Sequence, residues 1–296
     1  MRLCLGAGVV MLGLSCTAPR AAPPPEGTDM GGRPAAGTPW TVPGLKMELV
    51  PIDPGRFLMG SAASEADRGD DENQHEVTLT RGFWVGRHEV TQGQYEALMH
   101  VNPSRRNKGA ELPVADVSWD DAAAFCRGLT DMESKAARLP MGYVYRLPTE
   151  AEWEYCCRAG SQAAYCFGDD PKTLPQYAWY LDNCRDVRGA MRLHEVGLKR
   201  ANAWGIYDMH GNAYEWCHDW AGVYPKGPAV DPAGPPSATW RRLRGGCILS
   251  SAGNLRSGDR MGCYPHVRHP QWGFRIVLAP EIRARPGQEE PRRTGE

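Results

Sequence analysis

Apolar residues take up a helical spacing in three places along this chain, each time just after a capping signal. Thr91 with Gln94 precedes Tyr95, Leu98 and Met99. Ser118 with Asp121 precedes Ala122, Phe125, Cys126 and Leu129, the acid being a weaker version of the same device. Thr149 with Glu152, following Pro148, opens a run that carries Trp153 and Tyr155. In each, a side-chain oxygen can satisfy amides left open in the first helical turn. Short runs with strand character lie at Arg56–Met59, Glu76–Thr80, Phe83–Arg87, Arg241–Arg244 and Phe274–Leu278. Between Asn202 and Trp220 neither period fits: apolar residues fall at 204, 206, 207, 209, 213, 214 and 216. That stretch reads as an irregular loop held by aromatics and by inward-facing polar groups, and most of the chain after Gly160 reads as irregular too.

Composition adds a compartment to this pattern. The 296 residues suit one large domain or two small ones, and a formal net charge of -1 gives no field that draws nucleic acid. Ten Trp and 34 Gly fit a loop-rich fold fixed by aromatic wedges. Arg2 and the short apolar run from Leu3 to Leu14 read as an export signal, too short to span a bilayer. Gly13-Leu14-Ser15-Cys16 resembles a bacterial lipobox, which makes Cys16 the lipid-carrying residue of an envelope protein. Plain signal cleavage near Ala18–Ala22 is the alternative. The boundaries follow: 1–16 signal segment, 17–44 tether with seven Pro and five Gly, 45–279 domain, 280–296 tail. Export leaves Cys126, Cys156, Cys157, Cys166, Cys184, Cys217, Cys247 and Cys263, an even set for which disulfides are expected.

Asp208, Gly211, Ala213 and Glu215 are spaced so that two carboxylates and two backbone carbonyls can turn onto one point. Hard cations such as calcium take that mixture. A tight loop whose carboxylates cap its own amides is the other reading. No histidine pair has the spacing of a zinc or iron site. The seven arginines between Arg241 and Arg275 (241, 242, 244, 256, 260, 268, 275) are expected to pair with carboxylates or lie over Trp faces.

The order of motifs resembles the sulfatase-modifying-factor family, whose best-known members are the formylglycine-generating enzymes. Phe57-Leu58-Met59-Gly60, His88-Glu89-Val90-Thr91, Pro113 to Trp119, Tyr145 to Tyr155, Asn202 to Trp220, Leu243-Arg244-Gly245-Gly246 and Gly273-Phe274-Arg275 carry the likeness. It implies that family's C-type-lectin-like variant fold: mixed α/β, with short strands, few helices and long loops. It also implies structural calcium at Asp208, Gly211, Ala213 and Glu215. The copper that those enzymes hold through two Cys is not expected, because Ser250 and Leu255 stand at the two positions. Cys247 replaces the Ser after the Gly-Gly turn, and Tyr214 replaces a Trp. Two thiolates suit Cu(I); a hydroxyl and an isobutyl group do not. A bridge from Cys247 to Cys157, Cys217 or Cys263 is expected over a reactive thiol.

Two functions compete on these grounds. One is a lipid-anchored, calcium-braced binding or assembly module whose cleft receives a peptide, glycan or protein partner. The alternative is a divergent oxygen-dependent oxidase working with a different metal.

Overall fold

A computed structural model describes residues 33–282. The signal segment with Cys16, the start of the tether and the end of the tail lie outside them. The three capping signals become three helices: α1 (Gln92–Met99), α2 (Trp119–Lys135) and α3 (Glu150–Arg158). All three N-termini carry complete, reciprocal capping boxes, including Ser118 with the shorter Asp121. Twelve short strands surround them: β1 (Trp40–Val42), β2 (Met47–Ile52), β3 (Gly55–Met59), β4 (His75–Leu79), β5 (Phe83–Gly86), β6 (Tyr143–Arg146), β7 (Tyr214–Trp220), β8 (Ala229–Val230), β9 (Arg241–Arg244), β10 (Met261–Cys263), β11 (Trp272–Gly273) and β12 (Val277–Pro280).

They form three sheets ordered β1-β2-β5-β12-β6, β10-β9-β7-β11 and β3-β4-β8. In the first, β12 lies antiparallel between β5 and β6, so the two ends of the domain meet in one sheet. The apolar face of α2 packs there: Phe125 and Leu129 join Trp84, Tyr145 and Phe274 in the largest core cluster. Phe125 stacks on Tyr95 and meets Phe274 edge-on, with centroids 5.4 Å apart in both pairs. Truncating such a buried ring costs about 3–5 kcal/mol. Helix α3 fills a second cluster with Trp153, Cys156 and Cys157 against Met59, Ile206 and Val277.

Several expectations shift. The 202–220 stretch is irregular only in its first part, since Tyr214–Trp220 is β7, an interior strand of the four-stranded sheet. It hides from a period-two search because its residues are buried or half-buried on both faces. Of the expected Phe274–Leu278 strand only Val277 and Leu278 are strand, as the start of β12, while Trp272–Gly273 just before the run pairs parallel with β7. β2 is unforeseen; it tolerates Pro51 because β1 pairs only as far as Leu49, so Pro51 sits where β2 has a single neighbour. The same pairing places Trp40–Val42, within the span assigned to the tether, in a sheet.

Candidate functional site

The loop that leads into β7 folds around a buried ionic centre. Glu215, the second residue of β7, is fully buried and accepts two hydrogen bonds from Arg275, Nε to Oε2 at 2.6 Å and Nη2 to Oε1 at 2.7 Å. Trp153 Nε1 also donates to Glu215 Oε2, at 2.9 Å. Glu89 accepts from Ala213 N at 3.0 Å and from Asn212 Nδ2 at 2.7 Å. Asp208 Oδ2 accepts from Gly197 N at 2.7 Å, whereas its buried Oδ1 has no hydrogen-bond partner among the described residues. Arg275 bonds Glu215 and acts on Glu89 and Asp208 through its charge, and Lys199 adds a second, partly exposed positive charge near Asp208. Burial, then the charges of Asp208 and Glu215, hold the Glu89 carboxyl well above its usual range. Burial is also the main cause that pushes Asp208 up to about 6. His88, beside Arg275, is lowered to about 4 by burial and by the neighbouring cations, so it adds no positive charge at neutral pH.

The remaining oxygens of the expected set are backbone carbonyls. Gly211 has φ +88, and a Cβ there would lie 2.3 Å from the Trp179 carbonyl oxygen, so only glycine makes this bend. Neither the Gly211 nor the Ala213 carbonyl accepts a hydrogen bond among the described residues. An orphaned carboxylate oxygen, two unused carbonyls and surplus buried negative charge fit a hard divalent cation. Glu215 fits such a role only as a shared ligand, because Arg275 and Trp153 already occupy most of its lone pairs. Among the described residues, no group of three His, Cys, Asp or Glu side chains is placed to hold a metal. Glu89 and Arg275 escape a reading by local spacing, since they lie far along the chain from Asp208.

The cleft positions divide. Cys247 N donates to Ser250 Oγ at 3.0 Å, and the Ser250 hydroxyl in turn points to Cys247 Sγ at 3.8 Å. The Tyr214 phenol bonds Ser250 and is raised to about 12, chiefly by burial. Tyr214, Cys247 and Ser250 are thus one cluster below the Gly245-Gly246 turn. Gly246 is tied to that turn, since its φ is +73 and a Cβ would come 2.8 Å from the Asn254 carbonyl oxygen. Leu255 lies against Gly246 of the same turn but brings no polar atom to the cluster. It is fully buried in a separate apolar group with Tyr165, Leu174 and Ala178. A hydroxyl already bonded to its neighbours and an enclosed isobutyl group offer Cu(I) no sulfur, so these residues do not fit copper.

The disulfide expectation is corrected, as all eight described cysteines are free thiols. Cys247 meets Leu249 N at 3.4 Å and Ser250, not Cys157, Cys217 or Cys263. Cys157 is enclosed by His210 and by Ser257, whose Oγ is 3.5 Å away. These side chains serve as small core residues, and burial raises the thiols of Cys126, Cys156, Cys157, Cys217 and Cys247. The arginines behave as expected. Arg241 lies 3.7 Å from the ring centroids of both Trp119 and Trp220, and Arg242, Arg244, Arg256, Arg260, Arg268 and Arg275 all meet carboxylates.

Short strands in curled sheets, few helices and a loop-borne ionic centre define a mixed α/β domain of the C-type-lectin-like variant kind. The chain belongs to the sulfatase-modifying factor enzyme 1-like domain family, whose model matches residues 40–280. It is 30% identical over 267 residues to Chaperone protein LppX of Paenibacillus barcinonensis, covering 78% of this chain and 89% of that one. It is 33% identical over 289 residues to the formylglycine-generating enzyme of Streptomyces coelicolor, covering 75% of this chain and 86% of the enzyme. The solved structure of Treponema denticola variable protein 1 superposes with a TM-score of 0.72 at 28% identity, covering 82% of this chain and 99% of that one.

Proposed function

We propose that this is a binding or assembly domain that retains its family's scaffold and has lost its oxidation chemistry. A lipid on Cys16 tethers it in the bacterial envelope, calcium braces the loop before β7, and the Tyr214–Cys247–Ser250 cleft faces a peptide, glycan or protein partner. One observation carries the reading: Leu255 is fully buried in an apolar cluster where the enzymes of the family need a second thiolate. The relative named as a chaperone is in keeping with the handling of a polypeptide. Calcium would be held by Asp208, Glu215 and the carbonyls of Gly211 and Ala213, offsetting the carboxylates left over after Arg275.

The test is dioxygen uptake by the copper-loaded protein with a Cys-containing peptide. None is expected; sustained uptake that tracks peptide oxidation restores the oxidase. Metal analysis of the exported protein is the companion measurement, with calcium expected and a stoichiometric redox metal fatal to the reading. Cys16→Ala is expected to move the protein from the membrane fraction to the soluble one.

A further inference from the structure

At the end of β7 away from Tyr214 lies a recess that the cleft does not share. Six residue steps of strand separate Tyr214 from Trp220, about 20 Å at the usual rise. Met59, His75 and Asp219 lie buried along its floor, and Val223, Tyr224 and Pro235 stand around its mouth. Its volume is about 60 Å3. At roughly 10–15 Å3 for a water-sized group, that admits about four to six heavy atoms, fewer than a sugar with its hydroxyls.

Two groups on the floor keep a polar atom for a ligand: Asp219 Oδ1, an acceptor once the carboxyl is ionised, and His75 Nε2. Asp219 is only 4% exposed, and its Oδ2 takes the Glu150 amide at 2.9 Å. Its Oδ1 has no partner among the described residues. His75 Nδ1 meets the Asn73 carbonyl at 3.0 Å and so carries a proton, which leaves Nε2 as an acceptor in the neutral ring. The nearby cation is not available to either group. Arg260 is committed to Glu150 through Nε and Nη2 at 2.8 Å each, to the Asp71 and Gly222 carbonyls, and to the Tyr224 ring at 3.6 Å. A group that donates several hydrogen bonds, carries positive charge and ends a short apolar stem satisfies both acceptors and fills the space against Met59 and Val223.

We propose that this recess binds a primary ammonium group on a short alkyl stem, supplied by a lysine side chain of a polypeptide or by a free alkylamine. Burial, then Glu150 and Glu152 on α3, push Asp219 up to about 8, while Arg146 on β6 acts in the opposite direction. His75 on β4 and the committed Arg260 complete the charged and titratable surroundings. Ammonium binding must therefore ionise Asp219 and release a proton, so affinity rises between pH 6 and pH 8.

The test uses the full chain and NMR titration with three probes: n-butylamine, an acetylated lysine-containing tripeptide amide, and n-butanol. Asp219→Asn keeps an oxygen for the Glu150 amide and removes the charge. It is expected to weaken amine binding at least tenfold while keeping the dispersed NMR spectrum of the folded chain. Val223→Trp, at a side chain 84% exposed, leaves the floor intact and is expected to block entry. Binding of the peptide and butylamine together identifies a polypeptide lysine, and binding of butylamine alone identifies a small amine; either supports the proposal. Equal binding by butanol, unchanged affinity in both variants, or no amine binding at pH 8 overturns it. None of these outcomes bears on copper or on the Cys247 cleft.

Discussion

Two buried ionic centres flank the β7–β9 ladder, and they are neutralised in opposite ways. Glu215 and Arg244 are register partners across that ladder, yet each takes its counterion elsewhere. On one side Glu89, Asp208 and Glu215 share the buried Arg275. On the other, Glu150 and Glu154 of α3 meet Arg158, Arg242, Arg244 and Arg260, with Arg244 bonded directly to Glu154 and Arg158 reaching it at 2.8 Å. In the second centre both carboxylates are met by protein cations, although Nε of Arg242 and Nε of Arg244 make no hydrogen bond among the described residues. The first leaves a buried carboxylate oxygen bare among the described residues, and the calcium proposed above would be its partner. Charge balance, more than ligand spacing, tells a metal-dependent loop from a self-sufficient one.

Arg244→Met breaks the second centre and is expected to have the largest effect. It strips Glu154 of one of its two guanidinium partners where both side chains are fully buried. Removing one member of a buried pair destabilises by about 3–5 kcal/mol. Denaturant titration measures it, and calcium should rescue none of the loss. A cost below about 1 kcal/mol would mean that this centre is not balanced by its arginines.

Within the arginine-rich region, Asp219 is the uncovered acid, and its effect is pH-dependent. Its pKa rises from 3.8 to about 8 on folding. For an acid raised in this way, the native state holds a proton that the unfolded chain has released. Its stabilising contribution is complete below about pH 4 and is lost as pH climbs through about 8. The loss is on the order of a few kcal/mol, and Asp219→Asn should flatten that part of the curve. Thermal or urea unfolding from pH 4 to 9 reads the slope; an unaltered slope in the variant removes Asp219 as its source.

Calcium sharpens the other side of the comparison. Ligand at 100 times its dissociation constant stabilises by about 2.7 kcal/mol if only the native state binds it. Chelation is expected to lower the melting temperature by the corresponding amount, and Asp208→Ala should abolish the dependence. A calcium-independent wild type would leave Glu89 and Asp208 to hold their own protons as the only relief of the surplus charge.

How legible this was in the sequence depends on the range of each interaction. Capping boxes are local, so Thr91, Ser118 and Thr149 announce their helices without help. Asp208, Gly211, Ala213 and Glu215 are local as well, and stand out as one oxygen-rich turn. Glu89 and Arg275 reach that turn from 124 and 60 residues away in hydrogen-bonding distance to Ala213 and Glu215, and no window over the sequence joins them. β7 escapes for a different reason, because a strand covered on both faces has no alternation to detect. The free thiols were hidden by a compartment argument: an even cysteine count in an exported chain predicts bridges, whereas packing uses them as small apolar side chains. Leu255 is legible as a replaced residue and not as a core one, since its burial depends on Tyr165 and Leu174 far upstream.

The smallest effects belong to the cleft, where the comparison with the charged centres is sharpest: nothing there is ionised. Burial raises the Cys247 thiol, and the side chain is 5% exposed. Its thiolate fraction and its access to reagent are therefore both low. Cys247→Ser keeps an acceptor for the Leu249 amide and removes little volume, so it is expected to cost about 1 kcal/mol. In native alkylation, the half-buried Cys166 and Cys263 should react first, and Cys247 should wait for unfolding with the other buried thiols. Once denatured without reductant, all eight should titrate. If Cys247 instead reacts in the native protein as fast as an exposed thiol, the cleft holds an activated sulfur, and a catalytic use of it has to be reconsidered.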